Sequence, residues 1–180
     1  FILAHQLTEQ TNIYAKMADG FKAGGYNTEA SNPVQAGQGY GPELIESVEF
    51  GLKGRYMDNR LTLNAAFFDN EHKDMQVAYF TAEQAAASVV LNNSADQSGF
   101  ELEAVALLSD TVQFTLNYGS LDSEYTESVL APDGFSPDLF PYAPESMIFA
   151  SLEKDFGNYR MRLDHSRIGE HNAFPYSRLD

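Results

Sequence analysis

The sequence predicts an all-β fold of antiparallel, up-and-down strands, and three observations support this prediction. Apolar and polar residues alternate over long stretches, tight turns join pairs of these stretches, and short connections alternate with long ones. In Ser47–Lys53, for example, Val48, Phe50 and Leu52 share one parity, and charged or small residues fill the other. A helix would need apolar residues at intervals of three and four, which this segment lacks.

The same pattern predicts about seven strands, six of them in hairpins. The predicted strands are Asn12–Phe21, Ser47–Lys53, Leu61–Phe68, Gly99–Leu108, Val112–Gly119, Met147–Lys154 and Tyr159–Asp164. Three short breaks are rich in Asp, Asn and Gly, as hairpin turns require. These breaks are Met57–Arg60, Ser109–Thr111 and Asp155–Asn158. The long connections are roughly Lys22–Pro42, Ala78–Asp96 and Thr126–Pro144. All tight turns should therefore lie at one end of the sheet and all long loops at the other.

Composition narrows the class of protein. The 180 residues carry a formal net charge of −15 with only 11 Lys and Arg, so the chain lacks the basic stripe that nucleic-acid binding needs. Cysteine is absent, which excludes disulfides and thiolate metal sites. Apolar stretches such as Ala104–Leu108 are far shorter than the roughly 18 residues of a spanning helix, whereas a spanning β-strand needs only about 9–11.

Strand length favours a membrane-spanning barrel over two soluble architectures. A β-propeller blade would need four strands in each repeat of about 50 residues, and the pattern supplies two. A β-sandwich has strands of about five or six residues, whereas the clearest strands here alternate through about ten. We therefore predict an antiparallel transmembrane β-barrel with short periplasmic turns and long extracellular loops.

In such a barrel the apolar parity faces lipid and the polar parity faces an enclosed lumen. The residues predicted to face lipid are Val48, Phe50, Leu52, Leu61, Leu63, Phe67, Phe100, Leu102, Val112, Phe114 and Leu116. The residues predicted to face the lumen are Glu49, Lys53, Glu101, Glu103, Arg160 and Arg162. We expect hydrogen bonds in the lumen and ion pairs with Lys53, Arg160 or Arg162 to offset the cost of burying Glu101 and Glu103.

Six stretches carry a family resemblance and cover nearly the whole chain in order. They are Asn12–Gly25, Pro42-Glu43 followed by Ser47–Lys53, Arg60–Phe68, Lys73–Val77, Gly99–Glu103 and Pro141–Glu145. Together these stretches resemble the β-barrel of TonB-dependent receptors, chiefly the siderophore and related nutrient receptors.

The resemblance implies a barrel of about 22 strands with a plugged lumen. We expect residues 1–180 to form part of its C-terminal half, since neither a plug domain nor a closing C-terminal strand is recognisable. The resemblance also implies that the parent protein lies in a Gram-negative outer membrane, in contact with lipid and lipopolysaccharide. There it would import a small-molecule nutrient, such as a ferric siderophore, with energy from the TonB complex. The lumen-facing Glu101 and Glu103 would then contact the plug.

Ligand recognition is expected in the long loops and the upper lumen, because loops held by a rigid scaffold are free to vary. Aromatic side chains there offer flat, amphipathic surfaces at small entropic cost. The candidates are Tyr26, Tyr40, Tyr79, Phe80, Phe135 and Phe140. The substrate stays open between siderophore, haem, vitamin and sugar.

The sequence contains no catalytic elbow or phosphate-binding loop, and its four histidines lack metal-ligand spacing. We therefore predict no enzymatic activity, no bound metal and no cofactor. Two other functions remain open alongside the nutrient receptor. One is a passive porin-like channel without a plug, and the other is a soluble all-β binding module.

Overall fold

The computed structural model describes residues 1–30, 33–80, 88–127 and 140–173, and most of them lie in β-strands. The strands are β1 (Ile2–Thr8), β2 (Thr11–Lys22), β3 (Gly25–Tyr26), β4 (Gly39–Tyr40), β5 (Glu43–Tyr56), β6 (Leu61–Phe80), β7 (Ser88–Ser109), β8 (Val112–Glu127), β9 (Ser146–Asp155) and β10 (Arg160–Ile168). One short helix, α1 (Pro33–Ala36), lies between β3 and β4. Among the described residues, no helix is long and apolar enough to cross a membrane.

Eight strands form one antiparallel sheet in the order β1-β2-β5-β6-β7-β8-β9-β10. Each strand pairs with its neighbour along the chain, and β3 and β4 form a separate two-stranded sheet within the β2–β5 connection. Within the described part of the chain β1 and β10 do not pair, so the sheet is open. The predicted all-β, antiparallel, up-and-down fold is confirmed.

Short and long connections alternate along the whole sheet, as predicted. Tight turns join β1 to β2, β5 to β6, β7 to β8 and β9 to β10, and they define the turn end of the sheet. The longer connections define the opposite loop end. In the β9–β10 turn, Gly157 has a φ of 84°, a left-handed conformation that glycine adopts at little cost. Its N–H donates to Asp155 Oδ1 at 2.7 Å, and this bond, with the nearby Arg160 guanidinium, lowers the pKa of Asp155.

Two predictions about the strands are wrong. The sequence pattern missed β1, because apolar residues fill both parities of Phe1–Ala4 and the alternation is hidden. The predicted loop Ala78–Asp96 is also wrong, because β6 continues to Phe80 and β7 already begins at Ser88. A β-bulge interrupts the alternation of β6 here, where Lys73 and Asp74 together oppose the single residue Ser94.

The sheet has almost no buried core. The buried hydrophobic residues of the described chain are Val77, Tyr79, Val89 and Ala95, all near the loop end. A soluble sandwich would instead bury one whole face of each sheet against the other. Most of the apolar surface of this sheet therefore has no protein partner within the described residues.

Candidate functional site: two faces of the sheet and an aromatic cluster

The strand register sorts the side chains onto two faces, because directly paired residues of antiparallel strands point to the same side. One face carries Leu52, which pairs with Ile13 and Ala65, and Ala65 pairs in turn with Leu102. We call this the apolar face. The opposite face, which carries Glu49, Glu101 and their paired neighbours, is the polar face. All residues predicted to face lipid lie on the apolar face, and all those predicted to face the lumen lie on the polar face. That the apolar face contacts lipid and the polar face a lumen stays a prediction.

Large side chains of the apolar face are exposed in the isolated sheet. Phe50 is 56% exposed, Phe67 51% and Phe100 37%, although the three are direct cross-strand neighbours. Contiguous apolar patches of this kind are rare on soluble monomers and mark an interaction surface. The arrangement is unfavourable for the soluble all-β binding module.

Hydrogen bonds organise the centre of the polar face. The Tyr14 hydroxyl donates to Glu49 Oε1 at 2.6 Å, and Lys16 Nζ lies 3.2 Å from Glu49 Oε2. The Tyr14 ring crosses directly over Gly51, its cross-strand partner, where a Cβ would overlap the ring. Lys53 Nζ lies 5.5 Å from the centroid of the same ring. These contacts join β2 and β5 through side chains as well as through the backbone ladder.

Among the described residues, Glu101 and Glu103 form no ion pair with Lys53, Arg160 or Arg162. Glu103 accepts a hydrogen bond from Asn64 at 3.1 Å, whereas Arg160 pairs with Glu153 and Asp155 and Arg162 with Asp164. The reason is topological. Glu101 and Glu103 lie on β7 and the two arginines on β10, three strands away, a distance of about 14 Å at a strand spacing of about 4.8 Å.

The bulge in β6 builds an aromatic cluster at the loop end of the polar face. At the bulge two residues of β6 oppose one residue of β7, so beyond it the odd-numbered residues of β6 change faces. Met75, Val77 and Tyr79 therefore lie on the polar face, on the same side as Ala95 of β7. Ala95 pairs with Tyr125 of β8, whose ring stacks on Phe140 with centroids 4.4 Å apart. The aromatic cluster consists of Met75, Val77, Tyr79, Leu91, Tyr125 and Phe140.

The two tyrosines of this cluster are desolvated. Burial raises the pKa of Tyr125 to about 12, and its hydroxyl, enclosed by the protein, has no hydrogen-bond partner among the described residues. Burial also raises the pKa of Tyr79, whose hydroxyl is 3.5 Å from Asn93 Oδ1. Both phenols are therefore neutral at physiological pH and act as parts of a packed scaffold.

Polar contacts hold the β2–β5 connection against the extended β6–β7 hairpin. The Asn27 side chain bonds both the N–H and the carbonyl of Val90, at 2.7 and 3.3 Å. The Gly41 N–H donates to Asn92 Oδ1 at 2.7 Å, and Gln76 Nε2 donates to the Gly41 carbonyl at 3.1 Å. The small β3–β4 hairpin is thus fixed in place beside the loop end of the sheet.

The structure separates the predicted ligand-binding residues into different environments. Tyr26 and Tyr40 lie on the β3–β4 hairpin, and Tyr26 is 68% exposed. The prediction that Tyr79 lies in a loop is wrong, since it is a strand residue and only 1% exposed. Phe140 packs on Tyr125. Tyr125 is not among the predicted ligand-binding residues, although it lies on the polar face of β8.

Two candidates cannot be placed in this way. Phe80 ends β6, but its side chain lies outside the described residues, as does the whole of Phe135. In the part of the chain that the structure describes, no group of three or more His, Asp or Glu side chains could hold a metal ion.

Comparison with known families decides what kind of barrel this sheet belongs to. Residues 2–178 match the family described as TonB dependent receptor-like, beta-barrel. The chain belongs to this family. Members of the TonB-dependent receptor family are outer-membrane barrels and receptors, so the predicted family, fold class and non-enzymatic character are confirmed, and the match gives no support to a passive porin.

Three known proteins that are similar to this TonB-dependent receptor segment are much longer than it is. The pesticin receptor of Yersinia enterocolitica is 28% identical over 169 residues, which cover 93% of this chain and 24% of that receptor. The crystal structure of the ferric yersiniabactin uptake receptor FyuA from Yersinia pestis has a TM-score of 0.70 at 24% identity, over 93% of this chain and 25% of that one. The copper transporter OprC has a TM-score of 0.76 at 16% identity, over 97% and 27%. The chain therefore spans about a quarter of the length of these relatives.

Proposed function

We propose that this chain is part of the barrel of an outer-membrane receptor that binds a ferric siderophore and imports it with energy from the TonB complex. The observation that carries the proposal is the two-faced sheet of a TonB-dependent receptor, with an exposed apolar face for lipid and a charged face for an enclosed lumen. The residues predicted to face lipid and lumen take these roles in the proposal. Residues 1–180 then supply roughly a third of a barrel of about 22 strands.

The names of the similar proteins support this substrate class. One is a pesticin receptor, one is a ferric yersiniabactin uptake receptor and another is described as a probable TonB-dependent siderophore receptor from Acinetobacter baumannii. In the proposal, the partners of the chain are a plug domain inside the lumen, the TonB complex, and the lipid and lipopolysaccharide of the outer membrane. The polar-face acids Glu101 and Glu103, both exposed in the isolated sheet, are then available to the plug.

The proposal can be tested by uptake of radiolabelled ferric siderophores in the native host. Deleting the gene should abolish uptake of at least one ferric siderophore, and the intact gene should restore it. Uptake should also stop when the proton motive force is collapsed or the TonB protein is removed. Uptake that continues without either would indicate a passive channel and contradict the proposal.

Tyr26, the exposed aromatic residue of the β3–β4 hairpin, is the best candidate for contacting the ligand. Flat ligand surfaces, such as that of a metal chelate, stack on aromatic rings. Truncating such a ring to Ala typically weakens the free energy of binding by more than about 1 kcal/mol when the ring is an anchor. We expect Tyr26→Ala to raise the Kd of the whole receptor for its ferric siderophore by about tenfold, measured by fluorescence quenching. Tyr159→Ala is the matched control, because Tyr159 is also exposed (79% against 68%) but lies at the turn end. An unchanged Kd in Tyr26→Ala would remove this hairpin from the binding site.

A further inference from the structure

A buried carboxamide holds the β3–β4 hairpin against β7. Asn27 directly follows β3 and is only 5% exposed, although it lies in a connection between strands. Its Oδ1 accepts from the Val90 N–H at 2.7 Å, and its Nδ2 donates to the Val90 carbonyl at 3.3 Å. Nδ2 also donates to the Gln38 carbonyl at 3.5 Å. A carboxamide has an acceptor oxygen and two N–H donors, so both ends of the Asn27 side chain are bonded.

These bonds cover an edge of β7 that no strand covers within the described residues. Val90 pairs with β6 on one side, whereas β8 pairs with β7 only as far as Ser94. Ser88, two residues from Val90, donates its N–H to the Glu29 carbonyl at 3.3 Å. The order of these contacts is antiparallel, so the segment from Asn27 to Glu29 runs along β7 as a short strand would. The backbone groups of a strand edge need such partners.

Tyr26 directly precedes Asn27 and is held by its neighbours, although it is 68% exposed. It pairs with Gly39 across the hairpin, and the Tyr26 ring lies 3.6 Å from the position that a Cβ would take on that glycine. The Asn27 N–H donates to the Gln38 carbonyl at 3.3 Å, which adds one further bond to the hairpin. The exposed ring is therefore attached to a backbone segment that Asn27 holds on β7.

The base of the hairpin has separate contacts. Gln76 Nε2 donates to the carbonyls of Ala23 and Gly41, at 2.9 and 3.1 Å. Asn92 bonds Gly41 as well, through both the oxygen and the nitrogen of its carboxamide. Removing the Asn27 side chain should therefore loosen the hairpin around Tyr26, while the two ends of the connection stay attached to β6 and β7.

We propose that Asn27 is a positioning residue for ligand binding, which holds the exposed Tyr26 ring in its binding orientation before the ligand arrives. The inference rests on the proposed function, because it takes Tyr26 as a ligand contact. A ring that is already held in place loses less conformational freedom when it binds, so the affinity is higher. Because the Asn27 side chain is buried and bonded at both ends, it should affect the ligand only through Tyr26.

Replacing Asn27 should weaken binding without removing a ligand contact. Asn27→Ala should raise the Kd of the whole receptor for its ferric siderophore by about three- to tenfold, measured by fluorescence quenching. Thr28→Ala is the matched control, because Thr28 is the next residue in the chain and is exposed. This control should change the Kd by less than about twofold. A Kd that rises in Tyr26→Ala but not in Asn27→Ala would overturn the positioning role.

A double-mutant cycle distinguishes positioning from an independent contribution to binding. In the Tyr26→Ala background no ring remains to be positioned, so adding Asn27→Ala should change the Kd by less than about twofold. An equal loss of affinity in both backgrounds would show that Asn27 acts independently of Tyr26, and would overturn the inference.

A spin label tests the docking of the hairpin without any ligand. The chain has no cysteine, so Gln38→Cys, at an exposed hairpin position, can carry a nitroxide in a whole receptor freed of other cysteines. Asn27→Ala should raise the mobile fraction of the EPR spectrum by about twofold or more, whereas Thr28→Ala should leave it unchanged. An unchanged spectrum in Asn27→Ala would overturn the inference. Absence of ferric siderophore binding by the unaltered receptor would instead contradict the proposed function, whatever the label shows.

A second variant of nearly the same shape guards against a receptor that does not fold. Asn27→Asp keeps an acceptor for the Val90 N–H but places a carboxylate oxygen beside the Val90 carbonyl, to which Nδ2 donates in the unaltered chain. The label should be mobile at neutral pH and less mobile near about pH 4, where the introduced carboxyl group takes up a proton and can donate to that carbonyl. Heat-modifiable mobility in gels would verify that each variant is a folded barrel. A label as immobile in Asn27→Asp at neutral pH as in the unaltered receptor would again overturn the positioning role.

Discussion

Two glycines of the polar face differ in what lies above them. The Tyr14 ring covers Gly51, whereas no atom lies within 4 Å of where a Cβ would stand at Gly119. Gly51→Val should displace the ring, break the bond from Tyr14 to Glu49 and lower the free energy of unfolding by about 1–3 kcal/mol. Gly119→Val is the control and should change the free energy of unfolding little. Urea unfolding of the receptor in lipid vesicles would measure both variants. Equal losses of stability would show that the contact between the Tyr14 ring and Gly51 does not stabilise the receptor.

Because the phenol of Tyr125 is buried, we expect the free energy of unfolding to fall at alkaline pH. Its folded pKa of about 12 exceeds the value of about 10 expected in the unfolded chain, so the folded state holds this proton more tightly. The resulting contribution to stability is fully present below about pH 10 and is lost as the pH rises through 12. Tyr79, whose pKa is also raised, should add to the same loss.

Tyr125→Phe should therefore flatten the fall in stability between pH 10 and 12. At neutral pH it should raise the free energy of unfolding by about 1 kcal/mol, because the buried hydroxyl that it removes has no partner within the described parts of the chain. The measurement is the midpoint of urea unfolding from pH 8 to pH 12. Tyr159→Phe, at an exposed ring, is the control. A neutral-pH loss in Tyr125→Phe would reveal a hydrogen bond that the hydroxyl makes in solution.

At the scale of the element, the bulge in β6 determines which residues reach the loop end of the polar face. Asp74 has a φ of 56°, and its carbonyl accepts a hydrogen bond from Asn92 Nδ2 at 2.6 Å. Asp74→Val should destabilise the receptor by about 1–2 kcal/mol, because a β-branched residue disfavours this conformation. Asp74→Gly should be tolerated and serves as the control. The free energy of unfolding measures both, and a neutral Asp74→Val would show that the bulge relaxes.

Deleting Asp74 tests the parity argument directly. With one residue fewer, the strand beyond the deletion should keep the parity of its first half, so Tyr79 would turn away from Tyr125. A cysteine at position 79 should then become reactive toward a soluble maleimide, although it is protected when the bulge is intact. Continued protection would mean that β6 restores the bulge elsewhere.

The bulge also shows how far the sequence could predict this fold. Alternation located every strand whose two parities differ clearly, such as β5 and β8, and the short breaks located the turns between them. Neither signal survives at Lys73–Asp74, where the parity reverses, nor in β1, where both parities are apolar. The aromatic cluster depends on that reversal. Residue type alone selected two of its members, Tyr79 and Phe140, but the alternation could not predict that the cluster is buried.

At the scale of the whole molecule, the two faces of one strand can be compared at neighbouring positions. Leu102 lies on the apolar face of β7, and Glu101 lies on its polar face. Leu102→Arg should destabilise the folded barrel by about 2–4 kcal/mol, because an arginine near the bilayer midplane loses its hydration. Glu101→Arg introduces the same side chain one residue away and should be tolerated much better, since the polar face is proposed to line a wet lumen. The amount of heat-modifiable, folded receptor in the outer membrane would measure the difference. Equal assembly of the two variants would contradict the assignment of the apolar face to lipid.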